Sequence, residues 1–334
     1  VVIGHAGAAV EDHVLEHRAE ADRVPDLRLA LAGEADALRV AAALDVEDAV
    51  VTPAVLVVAD EFAVRVRGQR RLARQRQLGG LHVASICQDL DGTVWAGLGE
   101  GGLAAIDPRD GSVLALVSAP AYDPNLFGAG FTRRQFSELS SDKDQPLFNR
   151  ALRGRYPPGS TIKPILGLAS MHYLARPLDQ ELFCPGYFML PGDDHRYRDW
   201  KKEGHGEVDL ISAIEVSCDV YFYELALELG IDRMHEIMTA FGIGRLTGID
   251  VPGEKPGLMP SRDWKKRAFR RRADQVWFPG ETVITGIGQG YMLATPLQLA
   301  YSTAIVAAKG ARFRPHLLAA YNDPVTGEET VLDP

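Results

Sequence analysis

The 334-residue chain is long enough for two domains or one large one, and its hydrophobic fraction of 46% and charged fraction of 24% are those of ordinary globular proteins. A formal net charge of −9 argues against a basic nucleic-acid-binding surface, so no nucleic-acid partner is expected. No run of about 18 apolar residues occurs, so the sequence predicts no membrane span. Three cysteines, Cys87, Cys184 and Cys218, make no disulfide framework and leave a free thiol or metal ligation open.

The first 80 residues differ in composition from the rest of the chain. They contain no Lys, Ser, Asn, Met, Cys, Trp or Tyr, and Phe62 is their only phenylalanine. A core so poor in aromatic side chains packs badly, and no motif with recognisable chemistry occurs there. Residues 1–85 are therefore an unassigned segment, either a variable accessory domain or, as the missing residue types favour, a stretch translated from a GC-rich gene in the wrong frame or strand. Residues 86–334 carry every motif described below.

Beyond residue 100 the chain alternates between regular patterns and turn-forming stretches. Apolar runs on either side of the segment 108–111 predict two strands joined by a tight turn. Patterns typical of buried helices begin at Ser160 and near Thr295, and another occupies 209–230 and is followed by a short helix that ends at glycine. The stretch 184–207 is rich in Gly, Pro and charged residues and separates the first of these helices from the second.

The segment YPPGSTIKP, residues 156–164, places a hydroxyl and an amine one helical turn apart. Two prolines resist helix formation before Ser160, and Gly159 permits an unusual backbone angle. The predicted helix brings Lys163 onto the same face as Ser160, because residues three apart are neighbours on a helix. A serine becomes a nucleophile when a base removes its proton, and a lysine kept neutral by burial and nearby positive charge can be that base.

Neither this motif nor a second one is decisive alone. Ser-x-x-Lys also occurs at Ser140 and Lys143, in a polar stretch that predicts a solvated loop, so a bare match is most often structural. Ser217 and Asp219 lie two apart, where a turn could meet a helix N-terminus. The Ser217 hydroxyl could pass a proton between Lys163 and a leaving amine, and the Asp219 carboxylate could hold an amine. The alternative is that these residues cap a helix.

Together with their surroundings, the two motifs resemble the transpeptidase domain of class B penicillin-binding proteins, in particular the penicillin-binding protein 2 group of bacterial cell elongation. The resemblance runs from about Leu103 to Leu318 and includes AIDPRDGSVLALVSAPAYDPNLF, PLFNRALRGRYPPGSTIKP and TGIGQGYMLATPLQLA. It implies an α+β fold of the penicillin-binding protein and serine β-lactamase type, in which helices flank an antiparallel sheet.

The resemblance also implies a role for each motif residue. Ser160 would be the acylated nucleophile, Lys163 its base and Ser217 a proton relay, while Asp219 stands where many relatives have Asn. The implied donor is a peptidoglycan stem peptide ending in D-Ala-D-Ala, and an amine of a neighbouring stem would attack the acyl-enzyme. The implied partners are these stem peptides, their lipid-linked precursor, β-lactam antibiotics and a membrane glycosyltransferase of the SEDS family, at the periplasmic side of the inner membrane.

One motif of that family is missing. No Lys-(Ser/Thr)-Gly occurs late in the chain, and the late Lys309-Gly310 pair has a different context. The sequence therefore predicts an end before that motif, weak or no activity as it stands, and no identifiable substrate-binding residues. The alternatives are a non-catalytic fragment or scaffold that retains the fold, and a D,D-carboxypeptidase or serine β-lactamase. The segment RYRDWKKEGHGEVD, residues 196–209, argues against the last two because it is typical of the elongation group.

Four potential metal ligands lie in the stretch that joins the two motifs: Cys184, Asp199, His205 and Cys218. Cys, His and Asp all bind zinc, and four of them make a closed structural site. The spacing C-x14-D-x5-H-x12-C is not a common finger pattern, and each residue alone has an ordinary structural explanation. The set resembles the Asp, Asp, His and Cys zinc ligands of some elongation-group members, which implies a structural zinc with Cys184 in the first Asp position. No organic cofactor is expected.

The basic run KKRAFRRR, residues 265–272, is the strongest local charge in the sequence. We interpret it as a solvated loop. The alternative is a contact with an anionic lipid-linked substrate or a membrane surface.

Overall fold

The computed structural model of the chain describes residues 84–88, 94–98 and 101–331. The two interpretations of residues 1–85 fall almost wholly outside these ranges and stay predictions. Within the described ranges, no helix combines the length and the apolar character that crossing a bilayer requires.

A four-stranded antiparallel sheet comes first among the described elements. Its strands are β1 (Ala84–Gln88), β2 (Val94–Leu98), β3 (Gly102–Ile106) and β4 (Val113–Ser118), and they lie side by side in chain order. The last two are the strands predicted around 108–111. The turn between them closes where the Asp107 N–H donates to the Ser112 carbonyl at 2.9 Å, and Gly111 turns the chain with a φ of +86°.

Helices cover this sheet and pack on one another. They are α1 (Asn125–Ala129), α2 (Arg133–Ser140), α3 (Arg150–Arg153), α4 (Lys163–Leu174), α5 (Leu210–Glu215), α6 (Asp219–Ala240), α7 (Arg262–Ala268), α8 (Pro279–Thr285) and α9 (Pro296–Ala307). Helix α9 lies against β2 and β3, while α4 and α8 pack along α6. Leu166, Phe222 and Leu299 are fully buried where these elements meet. The predicted α+β architecture, with helices beside an antiparallel sheet, is confirmed.

Helix α9 begins where its sequence pattern predicts. The Thr295 side chain accepts the Gln298 N–H at 3.1 Å, and the Gln298 side chain accepts the Thr295 N–H at 3.0 Å. This reciprocal cap satisfies two backbone donors that a helix start leaves unpaired, and Pro296 fits the first helical position because it lacks an N–H. The helix is apolar on most of its surface, which is typical of a helix buried on several sides.

The stretch 184–207 contains short strands that the sequence did not reveal. The strands β5 (Leu182–Cys184) and β8 (Gly206–Val208) pair with each other, and β6 (Tyr187–Met189) pairs with β7 (Arg196–Arg198). Each has three residues, too few to show an alternating pattern. Two further strands of the same length, β9 (Ala320–Asn322) and β10 (Glu329–Val331), pair near the end of the described chain.

The long helical pattern after residue 209 is divided twice. Residues 216–218 separate α5 from α6, and Gly230 interrupts α6 with a φ of +73° and a ψ of 157°. The short helix predicted after Gly230 is thus the second half of α6. It lies buried along much of its length, including Met234 and Met238.

The basic run 265–272 is only partly the solvated loop that we expected. Its first residues belong to α7, and Lys265 is 3% exposed. Its ammonium is paired with Glu281 and donates to the Val276 carbonyl at 2.6 Å. The expectation that Lys265 is solvated was wrong, because a lysine can be buried when a carboxylate pairs with it, and this carboxylate lies 16 residues away along the chain.

Candidate active site

Ser160 lies at the surface, at the start of α4. A 3-10 helix (Gly159–Ile162) leads into that helix, so the predicted helix start at Ser160 is a tight turn that becomes α-helical at Lys163. Gly159 has a φ of +60°, the unusual angle that the Pro-Pro-Gly sequence predicted. Its N–H donates to the carbonyl of Gly288 at 2.9 Å, which joins the nucleophile segment to residues 286–291, called here the glycine loop.

The second motif lies at the junction of α5 and α6. Ser217 has a φ of +55°, and the Cys218 N–H donates to the Ala213 carbonyl at 2.9 Å, so the chain turns sharply there. Asp219 is the first residue of α6. The predicted position, a turn that meets a helix N-terminus, is confirmed.

The structure brings the four predicted catalytic residues together. The Lys163 Nζ atom donates to the Ser217 carbonyl at 2.9 Å, to the Ser217 Oγ atom at 3.1 Å and to the Asp219 Oδ1 atom at 2.7 Å. The Ser217 Oγ atom is hydrogen-bonded to the Ser160 Oγ atom at 2.9 Å. Two segments more than 50 residues apart in sequence therefore form one polar chain that leads from the surface hydroxyl to a buried amine.

The route from Ser160 to Lys163 passes through Ser217. Among the described residues, no hydrogen bond joins the Ser160 hydroxyl directly to the Lys163 Nζ atom; the direct bond between these residues is the one that the Lys163 backbone N–H donates to the Ser160 carbonyl. A neutral lysine amine carries one lone pair, and the Ser217 hydroxyl can donate to it while accepting from Ser160. The geometry thus permits a proton to leave Ser160 in two short steps.

Burial dominates the electrostatics around Lys163. Its side chain is 1% exposed, and Nζ lies 5.3 Å from the centre of the Phe222 ring. Burial raises the pKa of Asp219, while the neighbouring Lys163 ammonium acts in the opposite direction.

Trp200 contacts the second motif and was not singled out from the sequence. Its indole N–H donates to the Val216 carbonyl at 3.1 Å, and its ring centre lies 5.3 Å from that of His205. The residue is nevertheless 64% exposed. The segment 196–209 was associated with the elongation group. Nothing in its pattern predicted that this tryptophan would hydrogen-bond to the turn before Ser217.

The four predicted metal ligands converge behind the second motif. Their ligand atoms all lie within 4.8 Å of one another. The Cys184 Sγ atom lies 3.7 Å from Asp199 Oδ2 and 3.6 Å from His205 Nδ1, and the Cys218 Sγ atom lies 3.5 Å from Asp199 Oδ2. Bonds of about 2.0–2.3 Å in a tetrahedral zinc site would separate its ligands by roughly 3.3–3.8 Å, and the three separations just given fall in that range.

The chemistry of these four side chains also fits a metal. Both cysteines are free thiols and fully buried. His205 directs Nδ1 at the other donors, while its buried Nε2 has no hydrogen-bond partner among the described residues. Asp199 has a second task, because its Oδ2 atom accepts the N–H groups of Asp219 and Val220 at 2.8 and 3.1 Å. The ligand cluster is thereby joined to the start of α6.

Two other sequence features stay apart from the site, as expected. Ser140 and Lys143, the second Ser-x-x-Lys match, are exposed, although Ser140 ends α2 and so does not lie in the loop that we expected. Lys309 follows the end of α9 with a φ of +54° and does not lie on a strand, so the Lys309-Gly310 pair does not supply the missing motif.

A family model described as the penicillin binding protein transpeptidase domain matches residues 101–333. The chain belongs to this transpeptidase family. A relative from Acinetobacter baumannii named peptidoglycan D,D-transpeptidase MrdA is 50% identical over 220 residues, which are 66% of this chain and 32% of the relative. The chain thus spans about a third of that relative's length.

Solved structures of transpeptidase family members agree with this membership. Pseudomonas aeruginosa PBP2, solved in complex with WCK 5153, is 50% identical with a TM-score of 0.63, covering 70% of this chain and 51% of that one. PBP2 of Helicobacter pylori, solved in complex with MreC, is 37% identical with a TM-score of 0.60, covering 65% and 39%. The resemblance inferred from the sequence motifs is confirmed at the level of family and fold.

Proposed function

We propose that this chain is part of a peptidoglycan D,D-transpeptidase that cross-links stem peptides through an acyl-enzyme on Ser160. The observation that carries the proposal is the hydrogen-bonded series from Ser160 through Ser217 to Lys163 and Asp219. A series of this kind is what an unactivated hydroxyl needs in order to become a nucleophile. Its presence in a transpeptidase domain favours a working enzyme over a scaffold that retains only the fold.

In the acylation step, the Ser160 Oγ atom bonds to the carbonyl carbon of the penultimate D-Ala. Its proton moves to Ser217, whose own proton moves to Lys163. The amide bond to the last D-Ala then breaks, and the leaving amine receives a proton back along the same route. The Gly159 N–H is already bonded to Gly288, so the next backbone N–H, that of Ser160 itself, would favour the negative charge that develops on the carbonyl oxygen.

In the transfer step, an amine from a neighbouring stem attacks the ester carbonyl. The amine gives up one proton through Ser217 to Lys163, and the Ser160 oxygen takes a proton back as the ester bond breaks. Asp219 supports both steps, because its carboxylate lies 2.7 Å from the Lys163 Nζ atom and stabilises the ammonium form. β-Lactams would acylate the same oxygen.

We also propose that Cys184, Asp199, His205 and Cys218 hold a structural zinc. Four protein ligands close the coordination sphere, so the ion when bound supplies no water or open position for the reaction and acts by fixing the fold locally. Support comes from the donor spacing and from burial of the two thiols. Asp199 would connect the ion to the turn that carries Ser217.

The remaining assignments follow the elongation group. We place the enzyme at the periplasmic face of a bacterial inner membrane, with a lipid-linked peptidoglycan precursor and a membrane SEDS-family glycosyltransferase as partners. The complex between H. pylori PBP2 and MreC supports partners of this kind for the group. A D,D-carboxypeptidase or a serine β-lactamase would use the same serine, but the similarity to transpeptidases favours transfer to an amine.

A fluorescent penicillin tests the nucleophile and the base. Protein from the complete gene should incorporate the label, while Ser160→Ala should incorporate none. Lys163→Arg should also lose labelling, because a guanidinium keeps its positive charge but gives up no proton near neutral pH. Equal labelling of the Ser160→Ala variant would overturn the nucleophile, and full labelling of Lys163→Arg would move the base elsewhere. Ser140→Ala, in the exposed second match, is the control.

A further inference from the structure

An exposed set of arginines follows α7 and is not used by the proposed reaction. Residues 262–274 contain seven basic and two acidic side chains, a local charge of +5 in a chain whose total is −9. We call Arg267, Arg270, Arg271 and Arg272 the arginine segment. All four are exposed.

The other three basic residues of this stretch already have carboxylate partners. Lys265 is paired with Glu281, Lys266 contacts Asp263 at 3.1 Å and Arg262 contacts Asp232 at 3.1 Å. In contrast, the arginine segment makes no ion pair within the described part of the chain. Four neighbouring guanidinium groups without counter-charges repel one another, so an anion that bound there would relieve the repulsion.

The arginine segment is attached to a packed aromatic cluster around Lys265. The Nζ atom of Lys265 lies within 6 Å of the ring centres of Phe269, Trp277, Phe278 and Tyr291. The Trp264 ring also contacts Tyr291, with centres 5.1 Å apart. Aromatic contacts and the buried ion pair of Lys265 with Glu281 hold the chain on both sides of the arginines. The arginine segment is therefore attached to well-packed residues.

The glycine loop joins this aromatic cluster to the nucleophile segment. Tyr291, which contacts Trp264 and Phe269, ends that loop. Three residues earlier, the Gly288 carbonyl accepts the Gly159 N–H, next to Ser160. The residues that carry the arginine segment therefore pack against the end of the loop that touches the nucleophile segment.

We propose that the arginine segment binds carboxylates of a peptidoglycan strand whose neighbouring stem occupies Ser160. This inference rests on the proposed function. Each stem that ends in D-Ala-D-Ala carries at least its terminal carboxylate, and a guanidinium can bind a carboxylate through two parallel N–H donors. An uncross-linked strand repeats such stems, so a second contact on the same strand raises the effective concentration of the donor stem at Ser160.

A membrane surface fits the segment less well. Binding to a bilayer interface uses a broad apolar face beside the basic one. Near the arginine segment, Val276 and Phe278 are exposed, at 52% and 53%, which is a small apolar area. We therefore assign the segment to the substrate strand, and binding to vesicles becomes one outcome of the test.

The test compares two variants with equal charge change. One is Arg270→Gln, Arg271→Gln and Arg272→Gln together; the control is Arg133→Gln, Arg134→Gln and Lys143→Gln, which are exposed cations around α2. Binding of a labelled uncross-linked strand is measured by anisotropy at several salt concentrations. The first variant should bind about tenfold more weakly, a loss of about 1.4 kcal/mol in binding free energy. Its affinity should also depend less steeply on salt, while the control should match the parent.

Two further probes separate the explanations. A strand with amidated terminal carboxylates should bind the parent and the first variant equally. In protein from the complete gene, penicillin labelling of Ser160 should be the same in the parent and both variants, because penicillin lacks the second stem that the segment would bind; failure of that parent to label would instead overturn the proposed function. Equal strand binding by both variants would overturn the inference. So would loss of binding to phosphatidylglycerol vesicles with strand binding unchanged, because the partner would then be a membrane.

Discussion

Lys163 has three hydrogen-bond acceptors around its Nζ atom, which is the number that an ammonium group can satisfy. When the amine is neutral, one of these contacts must reverse and donate to the lone pair. The Ser217 carbonyl cannot donate, and neither can an ionised Asp219. The Ser217 hydroxyl can, so the position of a single hydroxyl decides which neighbour can exchange a proton with Lys163.

Replacement of Ser217 by Ala should therefore uncouple the nucleophile from the base. We expect acylation by a fluorescent penicillin to slow by roughly 10²–10⁴-fold, the usual contribution of positioned proton transfer. The thermal unfolding midpoint should change little, because the Cβ atom and the backbone at φ +55° are retained. An acylation rate equal to that of the parent would show that Ser160 reaches Lys163 by another route.

At the scale of elements, the active site depends on contact between two segments through their glycines. Gly159 and Gly288 both have positive φ, at +60° and +70°, but their surroundings differ. A Cβ atom at Gly159 would meet open space, whereas one at Gly288 would lie 2.2 Å from the Gly159 carbonyl oxygen. An alanine at either position would suffer left-handed backbone strain, but only at Gly288 would it also collide with a neighbouring atom. Comparing the two substitutions therefore separates the two costs.

Gly159→Ala should cost about 1–2 kcal/mol of folding free energy from left-handed strain alone. Gly288→Ala adds a collision with backbone that cannot move without displacing Ser160, so we expect a larger loss of stability and a lower acylation rate. Urea unfolding and penicillin labelling of both variants provide the measurement. Equal losses of stability in the two variants would contradict the collision.

The four proposed zinc ligands belong to the same scale, because they join β5 and the loop after β7 to the start of α6. Purified protein should contain about one equivalent of zinc, and the double variant Cys184→Ser, His205→Ala should contain almost none. Chelation should lower the unfolding midpoint and make Cys184 and Cys218 reactive towards thiol reagents. Less than about a tenth of an equivalent of zinc in the parent, or unchanged thiol reactivity after chelation, would reject the site.

Across the whole molecule, long motifs predicted more than local patterns did. The resemblance identified the family and the fold, and local patterns predicted the start of α9 near Thr295 and an unusual backbone angle at Gly159. The pairing of three-residue strands, the brace from Trp200 and the burial of Lys265 were not predicted. These features depend on partners that are distant in sequence, so neither periodicity nor composition contains them.

The contact between Gly159 and Gly288 closes a loop of more than 120 residues, and the one between Ser160 and Ser217 closes a loop of more than 50. The entropy of closing such loops opposes both contacts until the surrounding packing is in place. Helix α4 can form early from neighbouring residues, but a reactive Ser160 needs partners from both distant segments. Under the proposed mechanism, labelling of this one oxygen would therefore report whether the long-range contacts of the domain have formed, because a chain with its local helices alone would not react with a β-lactam.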